Sequence, residues 1–422
     1  MAAFFALLLS AIAAFNSTES SLPPVPGNTW PMYQYANHHN AVFRGSLQVA
    51  WGCDLGDRTN GGLALVGSTI YAGSFDHKAY AIDAKNGHIL WAQRATNVLM
   101  STPVVTHGVV VYGSGSNAVL KDSGRTTIWG VRGGDYLFGL RLHDGKLAWS
   151  YHTLGENMPS AAIVRGLAIW SNGDMHAYAV SAKNGRLAWR VPTPGISTMA
   201  SSALDGDRVF VVAARGTDFN YSVSRTHILA LDVNNGKTIW IAPYGGSDSA
   251  PTVGDGLVFI QGARYDQNAA HGKSVPIGQN VVYALDEKTG ALRWSYAGET
   301  GYFTWIGSSE ETIAGTYDDG TLYQAFPTID RVIAFDAKTG QPRWRFTTHG
   351  QVKMSPVVAA GLVIFGDTSG ALYSVNAQTG SLVHVERFNA PFSTSPPIVA
   401  GGTVIVAYGK RIVAIPLKTL QS

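Results

Sequence analysis

Two oppositely charged side chains, Asp248 and Lys353, occupy corresponding points of an internal repeat and have the clearest potential for chemistry. Gly301 is expected at the same point of the repeat between them, which would leave space beside both groups. A carboxylate can orient or deprotonate water, and an ammonium can hold an anion. The pair predicts a pocket in which Asp248 is the catalytic residue and Lys353 binds substrate. A structural salt bridge, or an aspartate that caps nearby backbone amides, is the alternative.

Three arginines are further candidates for binding an anionic substrate. Arg215 and Arg264 end the second strand of neighbouring repeats, and both precede long insertions. Arg132 lies within the longest insertion. A guanidinium binds oxyanions through several donors and stays charged at any relevant pH. We therefore expect these arginines near the substrate, with solvated loop residues as the alternative.

The remaining polar clusters favour structural roles. Asp318 and Asp319 precede a glycine, which is ordinary turn chemistry. The adjacent His38 and His39 would point to opposite sides of an extended segment. No spacing of histidines, cysteines and carboxylates predicts a metal site. Cys53 is the single cysteine, which excludes an internal disulfide, and we expect it to be a small buried side chain.

An internal repeat must position these residues. An apolar, alternating strand runs into a tight glycine turn and then into a second strand that usually ends in tryptophan. The copies are Tyr80 to Trp91, Leu140 to Trp149, Tyr178 to Trp189, Leu229 to Trp240, Tyr283 to Trp294, Ile333 to Trp344 and Tyr373 to His384. A further hairpin precedes each copy, so one repeat has four strands over roughly 40 to 50 residues. This pattern predicts a β-propeller blade.

The count of the repeats predicts eight blades and a closed ring. Trp51 ends a strand that has no preceding hairpin, and the last segment, Thr394 to Pro416, has no terminal strand after it. Both gaps close if the N-terminal strand completes the last blade, which leaves no unpaired sheet edge. We therefore predict an all-β, eight-bladed propeller of four-stranded blades.

The length of the loops indicates which face of the ring carries function. The insertions predicted to join second and third strands are Gly113 to Tyr136, Arg215 to His227, Arg264 to Asn280 and Thr316 to Arg331. Long loops on a rigid scaffold are where binding residues concentrate. Alignment of the innermost strands places one residue of each blade at the channel mouth: Gly61, Met100, Pro159, Met199, Asp248, Gly301, Lys353 and Thr394.

The ends of the chain and its charge indicate its domain bounds, its location and the partners to expect. Residues 1–15 read as a signal peptide, because an apolar stretch ends in small residues; 16–45 read as a linker and lead-in segment, and 46–422 as the propeller. Export to the periplasm or to the outer membrane follows from that prediction. The formal net charge of +3 is scattered, so nucleic acid is not an expected partner. A homodimer and a peripheral association with the outer membrane stay open.

The repeat resembles the pyrroloquinoline-quinone-type propeller superfamily, in the letters Asp-Ala-Lys-Asn-Gly followed four residues later by tryptophan. One branch, the quinoprotein dehydrogenases, binds the quinone with calcium beneath a disulfide between adjacent cysteines. The single Cys53 makes that disulfide impossible, so a quinone with calcium is a disfavoured alternative to a site without a cofactor. A second branch comprises outer-membrane assembly lipoproteins, which use the ring as a non-catalytic scaffold.

A third branch, the tetrathionate hydrolases of acidophilic sulfur oxidisers, is similar in the segment that precedes the ring. Trp30 to Phe43 contains Tyr-Ala-Asn and His-Asn-Ala elements. This resemblance implies hydrolysis of tetrathionate to thiosulfate, sulfur and sulfate, without a cofactor. Lys353 and the arginines would hold the sulfonates, while Met100 and Met199 would contact the central sulfurs through polarizable thioethers. A non-catalytic scaffold and a quinone-dependent dehydrogenase are the alternative functions.

Overall fold

The computed structural model describes residues 42–43, 50–115, 119–120, 128–129, 135–197, 199–214, 226–246, 248–266, 277–302 and 312–421. The predicted signal peptide and Arg132 and Arg215 lie outside these residues. In the described part the protein is an eight-bladed β-propeller of four-stranded antiparallel sheets, which confirms the predicted fold. The described part of the chain has no helix that is long and apolar enough to cross a membrane.

The blades follow each other along the chain, and their strands run from the channel outwards. Blade 1 contains Ala64–Val66, Thr69–Gly73, Lys78–Asp83 and Ile89–Arg94. Blade 2 contains Val104–Thr106, Val109–Gly115, Tyr136–Arg141 and Leu147–His152. Blade 3 contains Ala162–Val164, Leu167–Ser171, His176–Ser181 and Leu187–Pro192. Blade 4 contains Ala203–Asp205, Arg208–Ala214, Thr226–Asp232 and Thr238–Ala242.

The second half of the ring has the same order. Blade 5 contains Thr252–Gly254, Leu257–Asp266, Ile277–Asp286 and Leu292–Ala297. Blade 6 contains Thr316–Asp318, Thr321–Phe326, Arg331–Asp336 and Pro342–Thr347. Blade 7 contains Val357–Ala359, Leu362–Gly366, Ala371–Asn376 and Leu382–Arg387. Blade 8 contains Ile398–Ala400, Thr403–Tyr408, Arg411–Pro416 and Trp51–Asp54.

The structure also contains short elements in addition to the four strands of each blade. The extra strands are Val42–Phe43, Val98–Leu99, Val119–Leu120, Ile128–Trp129 and Gly301–Tyr302. Two 3-10 helices span Pro327–Ile329 and Leu417–Gln421. Val42–Phe43 pairs in parallel with the innermost strand of blade 7, with Val42 opposite Val358. Because the free edge of an innermost strand faces the channel, this short strand lies within the channel.

The N-terminal strand of the ring completes blade 8, as the sequence predicted. Trp51 pairs opposite Ala414, and Asp54 pairs opposite Arg411. The first and last parts of the propeller are therefore held together by one antiparallel ladder. Closure of this kind removes an exposed sheet edge that could otherwise pair with another chain.

A tryptophan from each blade except blade 7 docks on the next blade. The ring of Trp189, in blade 3, lies over Gly236, in the turn between the third and fourth strands of blade 4. The indole N–H of Trp189 donates a 2.9 Å hydrogen bond to the carbonyl of Val233. The same indole-to-carbonyl bond, at 2.8–3.0 Å, joins Trp51 to Ala84, Trp91 to Leu142, Trp149 to Ala182, Trp240 to Glu287, Trp294 to Ala337 and Trp344 to Ala377. Each of these tryptophans pairs opposite a small residue, as Trp189 does opposite Ala179.

His384 replaces tryptophan in blade 7 because the next turn does not exist. In blade 8 the third strand is C-terminal and the fourth strand is N-terminal, so no glycine turn joins them. The helix Leu417–Gln421 packs against the outer strand of blade 7 instead, and the Ser374 hydroxyl donates to the Leu420 carbonyl at 2.5 Å. The histidine that replaces tryptophan in the sequence therefore marks the point where the ring is closed.

One part of the predicted organisation was wrong. Thr316 to Arg331 is not an insertion: it contains the first two strands of blade 6, joined by a turn in which Asp319 and Gly320 have φ of 40° and 72°. The predicted turn role of Asp318 and Asp319 is thus consistent with the structure. The additional chain lies before this hairpin, within residues 298–315, and it displaced the sequence alignment of blade 6.

The tryptophan contact predicts different costs for two glycines of blade 5. In Gly290→Ala the new Cβ would lie 2.6 Å from Cε3 of Trp240, so we expect a loss of about 2–5 kcal/mol in the free energy of unfolding. Gly256→Ala is the matched control, because the φ of Gly256, 72°, almost equals the 71° of Gly290, whereas nothing lies within 4 Å of the new Cβ. We expect it to lose about 1–2 kcal/mol. Equal losses in urea unfolding would show that the tryptophan contact does not stabilise the ring.

Candidate functional site

The segments that lead into the innermost strands converge on one central pocket. The residue four positions before each innermost strand lines it in every blade: Asn60, Met100, Met158, Met199, Asp248, Thr312, Lys353 and Thr394. The pocket encloses about 650 Å³ of space between atoms, including its open mouth. The ring geometry therefore brings one side chain per blade to a common site, although these residues are far apart in sequence.

Hydroxyl groups line the deeper level of the pocket. Two positions further along the chain, Thr102, Ser160, Ser201 and Ser355 contribute to the lining. The backbone N–H of Gly62 donates to the Thr102 hydroxyl at 2.8 Å, and the N–H of Thr102 donates to the Ser160 hydroxyl at 2.8 Å. The N–H of Ser160 donates in turn to the Ser201 hydroxyl at 3.1 Å. This chain of bonds fixes the relative positions of blades 1 to 4 around the pocket.

Four of the predicted site residues lie together in this pocket. Asp248 and Lys353 are half-buried in its wall, and the blade between them contributes Thr312. Met100 and Met199 line the pocket from blades 2 and 4, and blade 4 is the neighbour of the blade that carries Asp248. A carboxylate, an ammonium and thioethers thus face the same space. Such a set could bind a ligand that carries anionic ends and a soft, polarizable centre.

Two positions of the predicted channel mouth were wrong. In blade 3 the lining residues are Met158 and Ser160, on either side of the predicted Pro159. In blade 6 the predicted Gly301 lies in a short strand beside blade 5, opposite Gly278, where an added Cβ would be 1.8 Å from the Thr328 carbonyl oxygen. Counting back four residues from the start of each innermost strand would have identified the correct lining residues.

The arginines are separate from the pocket or outside the described residues. Arg264 lies within the second strand of blade 5, opposite Gln279, and its side chain is exposed. It is not among the residues that line the pocket. Arg132 and Arg215 lie outside the described residues. In the described part of the chain, Lys353 is therefore the basic residue that lines the pocket.

Met158 completes an arc of three methionines. Met100, Met158 and Met199 occupy the same position in blades 2, 3 and 4, and Asp248 occupies it in blade 5. Thioether sulfur is polarizable and adapts to irregular partners. Three consecutive blades therefore present soft side chains to one part of the pocket, on the side of the ring across from Lys353.

A buried carboxyl that sequence reasoning missed lies two residues before Met158. The side chain of Glu156 is 0% exposed. Burial, followed by the charges of Asp135 and Asp248, raises the pKa of Glu156 to about 8. Its sequence neighbours carry no motif that signals this burial, which arises because blades 2 and 3 pack around the segment.

The only thiol is unsuited to nucleophilic chemistry. Cys53 is 7% exposed, and burial raises the pKa of its thiol, so the reactive thiolate is disfavoured. It lies on the outer strand of blade 8, away from the residues that line the pocket. Its predicted role as a small buried side chain agrees with this position.

The residues present do not fit a quinone with calcium. The described lining has no aromatic ring on which a planar quinone could stack. Among the described residues, no group of three or more histidine, cysteine or acidic side chains could hold a metal ion. The single cysteine also excludes the disulfide between adjacent cysteines that the quinoprotein branch uses.

Known proteins match this chain over most of its length. A tetrathionate hydrolase from Acidithiobacillus ferrooxidans is 27% identical over 85% of this chain and 73% of its own length. An outer membrane protein assembly factor BamB from Yersinia pestis is 23% identical over 94% of this chain and 93% of its own. A solved quinohaemoprotein alcohol dehydrogenase from Pseudomonas putida has a TM-score of 0.67 at 13% identity, covering 94% of this chain and 81% of that one.

The family profile described as outer membrane protein assembly factor BamB matches residues 41–264, 173–317 and 278–419 in overlapping segments. The solved dehydrogenase shows a shared fold alone, since its identity is low. The predicted resemblance to the pyrroloquinoline-quinone-type superfamily is confirmed by the profile, which covers almost the whole ring. The chain belongs to the BamB-type family of propeller repeat proteins.

Proposed function

We propose that this protein is a hydrolase of tetrathionate, or of a closely related polythionate, and that the central pocket is its active site. The observation that supports this most is the arrangement of a carboxylate, an ammonium and three thioethers around one pocket. Similarity to a tetrathionate hydrolase over 85% of the chain supports the same substrate class. A dianion with two sulfonate ends and a sulfur chain has the chemical features that this lining could recognise.

Each group has a distinct role in the proposed reaction. Lys353 would hold one sulfonate through charge-assisted hydrogen bonds. Met100, Met158 and Met199 would contact the central sulfurs. Asp248 would orient a water molecule and accept its proton. One tetrathionate dianion and one water would then give one thiosulfate, one sulfur atom, one sulfate and two protons. No thiol nucleophile or cofactor takes part.

Export of the protein belongs to the same proposal. Residues 1–15 have the composition of a signal peptide, and similarity to outer membrane protein assembly factors supports a location in the periplasm or at the outer membrane. A peripheral association with that membrane and a homodimer remain part of the proposal. The expected partner is a small anion rather than nucleic acid.

A non-catalytic scaffold is the second candidate function. A BamB protein, described as an outer membrane protein assembly factor, aligns with 94% of this chain and with 93% of its own length, which supports this candidate. Function within one fold depends on the site rather than on the scaffold. The two functions therefore differ in what the pocket residues should do.

We expect Asp248→Asn to reduce kcat for tetrathionate by about 10²–10⁴-fold, because the proposed general base is lost. Asp255→Asn is the matched control: Asp255 is an exposed aspartate of the same blade, in the turn between its first two strands. The purified mature chain would be assayed by release of thiosulfate without added quinone. Full activity of Asp248→Asn would exclude this carboxylate as the base. Absence of turnover in the folded wild-type protein would favour the scaffold.

We expect Lys353→Gln to raise KM for tetrathionate by roughly 10–100-fold, because a hydrogen bond to a charged group contributes about 1.5–3 kcal/mol. Lys353→Arg keeps the charge and should restore part of the affinity. Lys338→Gln, in an exposed turn of blade 6, is the control and should leave KM unchanged. An unchanged KM in Lys353→Gln would contradict the anion-binding role of this residue.

A further inference from the structure

Glu156 is a buried acid without a visible structural purpose. The side chain is 0% exposed, and neither carboxyl oxygen has a hydrogen-bond partner within the described part of the chain. Leaving a buried charged group without a partner costs far more than leaving a neutral acid there. The fold therefore favours the protonated form of Glu156.

Backbone geometry directs this side chain towards the pocket wall. The position that a Cβ would occupy on Gly115 lies 3.3 Å from Cβ of Glu156 and 3.2 Å from Cγ of Met158. The side chains of Glu156 and Met158 thus leave the chain on the same side, against the second strand of blade 2. Because Met158 lines the pocket, Glu156 lies directly behind that lining.

Two carboxyl groups act on Glu156 electrostatically. Asp135, which precedes the third strand of blade 2, accepts a 3.2 Å hydrogen bond from the Asn97 amide. Asp248 lines the pocket. Burial contributes most, Asp135 next and Asp248 third, and together they raise the pKa of Glu156 to about 8. Two aspartates close enough to have this effect make a second negative charge at Glu156 unfavourable.

Other titratable groups lie on the elements next to Glu156 and in the pocket lining. Asp174, in the neighbouring turn of blade 3, accepts a 2.5 Å hydrogen bond from the Tyr178 hydroxyl and lies 3.4 Å from His176. Tyr112, on the second strand of blade 2, is fully buried and its pKa is raised well above its usual value. Lys353 contributes the positive charge in the described pocket lining.

We propose that the protonation state of Glu156 sets the charge of the pocket and so determines the pH range over which the pocket accepts a sulfonate dianion. While Glu156 is neutral, the charges of Asp248 and Lys353 balance within the described pocket lining. Ionised Glu156 would add an uncompensated negative charge behind Met158 and repel the dianion. The inference rests on the proposed function for its ligand class. Glu156 acts through the field in the pocket, so it is a specificity-determining residue rather than a catalytic one.

Dithionate is a suitable probe, because it has two sulfonate groups but lacks the central sulfurs that the proposed reaction cleaves. If binding requires neutral Glu156, the affinity of the wild-type chain for dithionate should fall about tenfold between pH 7 and pH 9. The same binding should take up a proton near pH 8.5, which calorimetry in two buffers of different ionisation enthalpy would detect. This proton uptake needs no variant, so it tests the proposal even if substitutions disturb folding.

Glu156→Gln should bind dithionate with an affinity that hardly changes between pH 7 and pH 9, because glutamine stays neutral. Glu299→Gln is the control, since Glu299 is an exposed glutamate that pairs with Arg331, and it should show the wild-type fall. An equal fall in Glu156→Gln, a flat wild-type profile, or no binding of dithionate at pH 7 would each overturn the inference.

Stability supplies a second readout that involves no ligand. The folded chain keeps a proton on Glu156 that the unfolded chain loses above its ordinary pKa of 4.5. The stabilisation is therefore fully present below that pKa and is lost as pH rises towards about 8. From pH 5 to pH 8, the urea midpoint of the wild-type chain should fall relative to that of Glu156→Gln. A constant difference between the two midpoints would contradict a neutral buried Glu156.

The inference and the proposed function fail in different ways. Dithionate binding that weakens above pH 8 in a protein without tetrathionate turnover would support the charge control and overturn the hydrolase. Turnover combined with pH-independent dithionate binding would keep the hydrolase and overturn the role of Glu156.

Discussion

The ring depends on one contact that is repeated at seven of its eight blade junctions, in which a tryptophan of the outer strand docks on the glycine turn of the next blade. The contact combines a buried aromatic surface with an indole N–H bond to a backbone carbonyl, so it fixes both the distance and the orientation of neighbouring blades. Glycine is required in the turn because a Cβ would overlap the indole. Repetition of one geometry around the circle produces a channel with regularly spaced walls.

Because of this regular spacing, few residues are needed to form a functional pocket. Each blade contributes one residue at the same offset from its innermost strand, so eight positions define the mouth of the pocket. Changing a residue there changes the chemistry and leaves the tryptophan contacts between blades intact. A scaffold and an enzyme can therefore share the ring, and the residues at this level must decide between them. Here they are a carboxylate, an ammonium and an arc of methionines.

Sequence reasoning predicted the fold well because the repeat reports directly on the contacts that form it. It also brought Asp248, Lys353, Met100 and Met199 to one channel mouth, since equivalent strand positions converge in a ring. It failed for blade 6, where additional chain before the first hairpin shifted the alignment to Gly301. Arg264 was predicted to end the second strand of blade 5, and that strand continues to Asp266.

Other features could not be predicted from local patterns. The burial of Glu156 depends on Gly115 in a neighbouring blade, where the missing Cβ gives room to its side chain. Met158 was missed by a single position, because proline was taken as the channel residue. The substitution of His384 for tryptophan was visible in the sequence, but its cause is the missing turn at the closure of the ring. Each of these depends on contacts between segments that are distant in sequence.

The most direct measurement is a crystal structure of the Asp248→Asn variant with tetrathionate, in which binding should persist while turnover is slow. We predict that one sulfonate lies within hydrogen-bond distance of Lys353 Nζ and that the sulfur chain contacts the methionines of blades 2 to 4. Tetrathionate bound outside the pocket, or an empty pocket at saturating tetrathionate, would contradict the assignment of the active site.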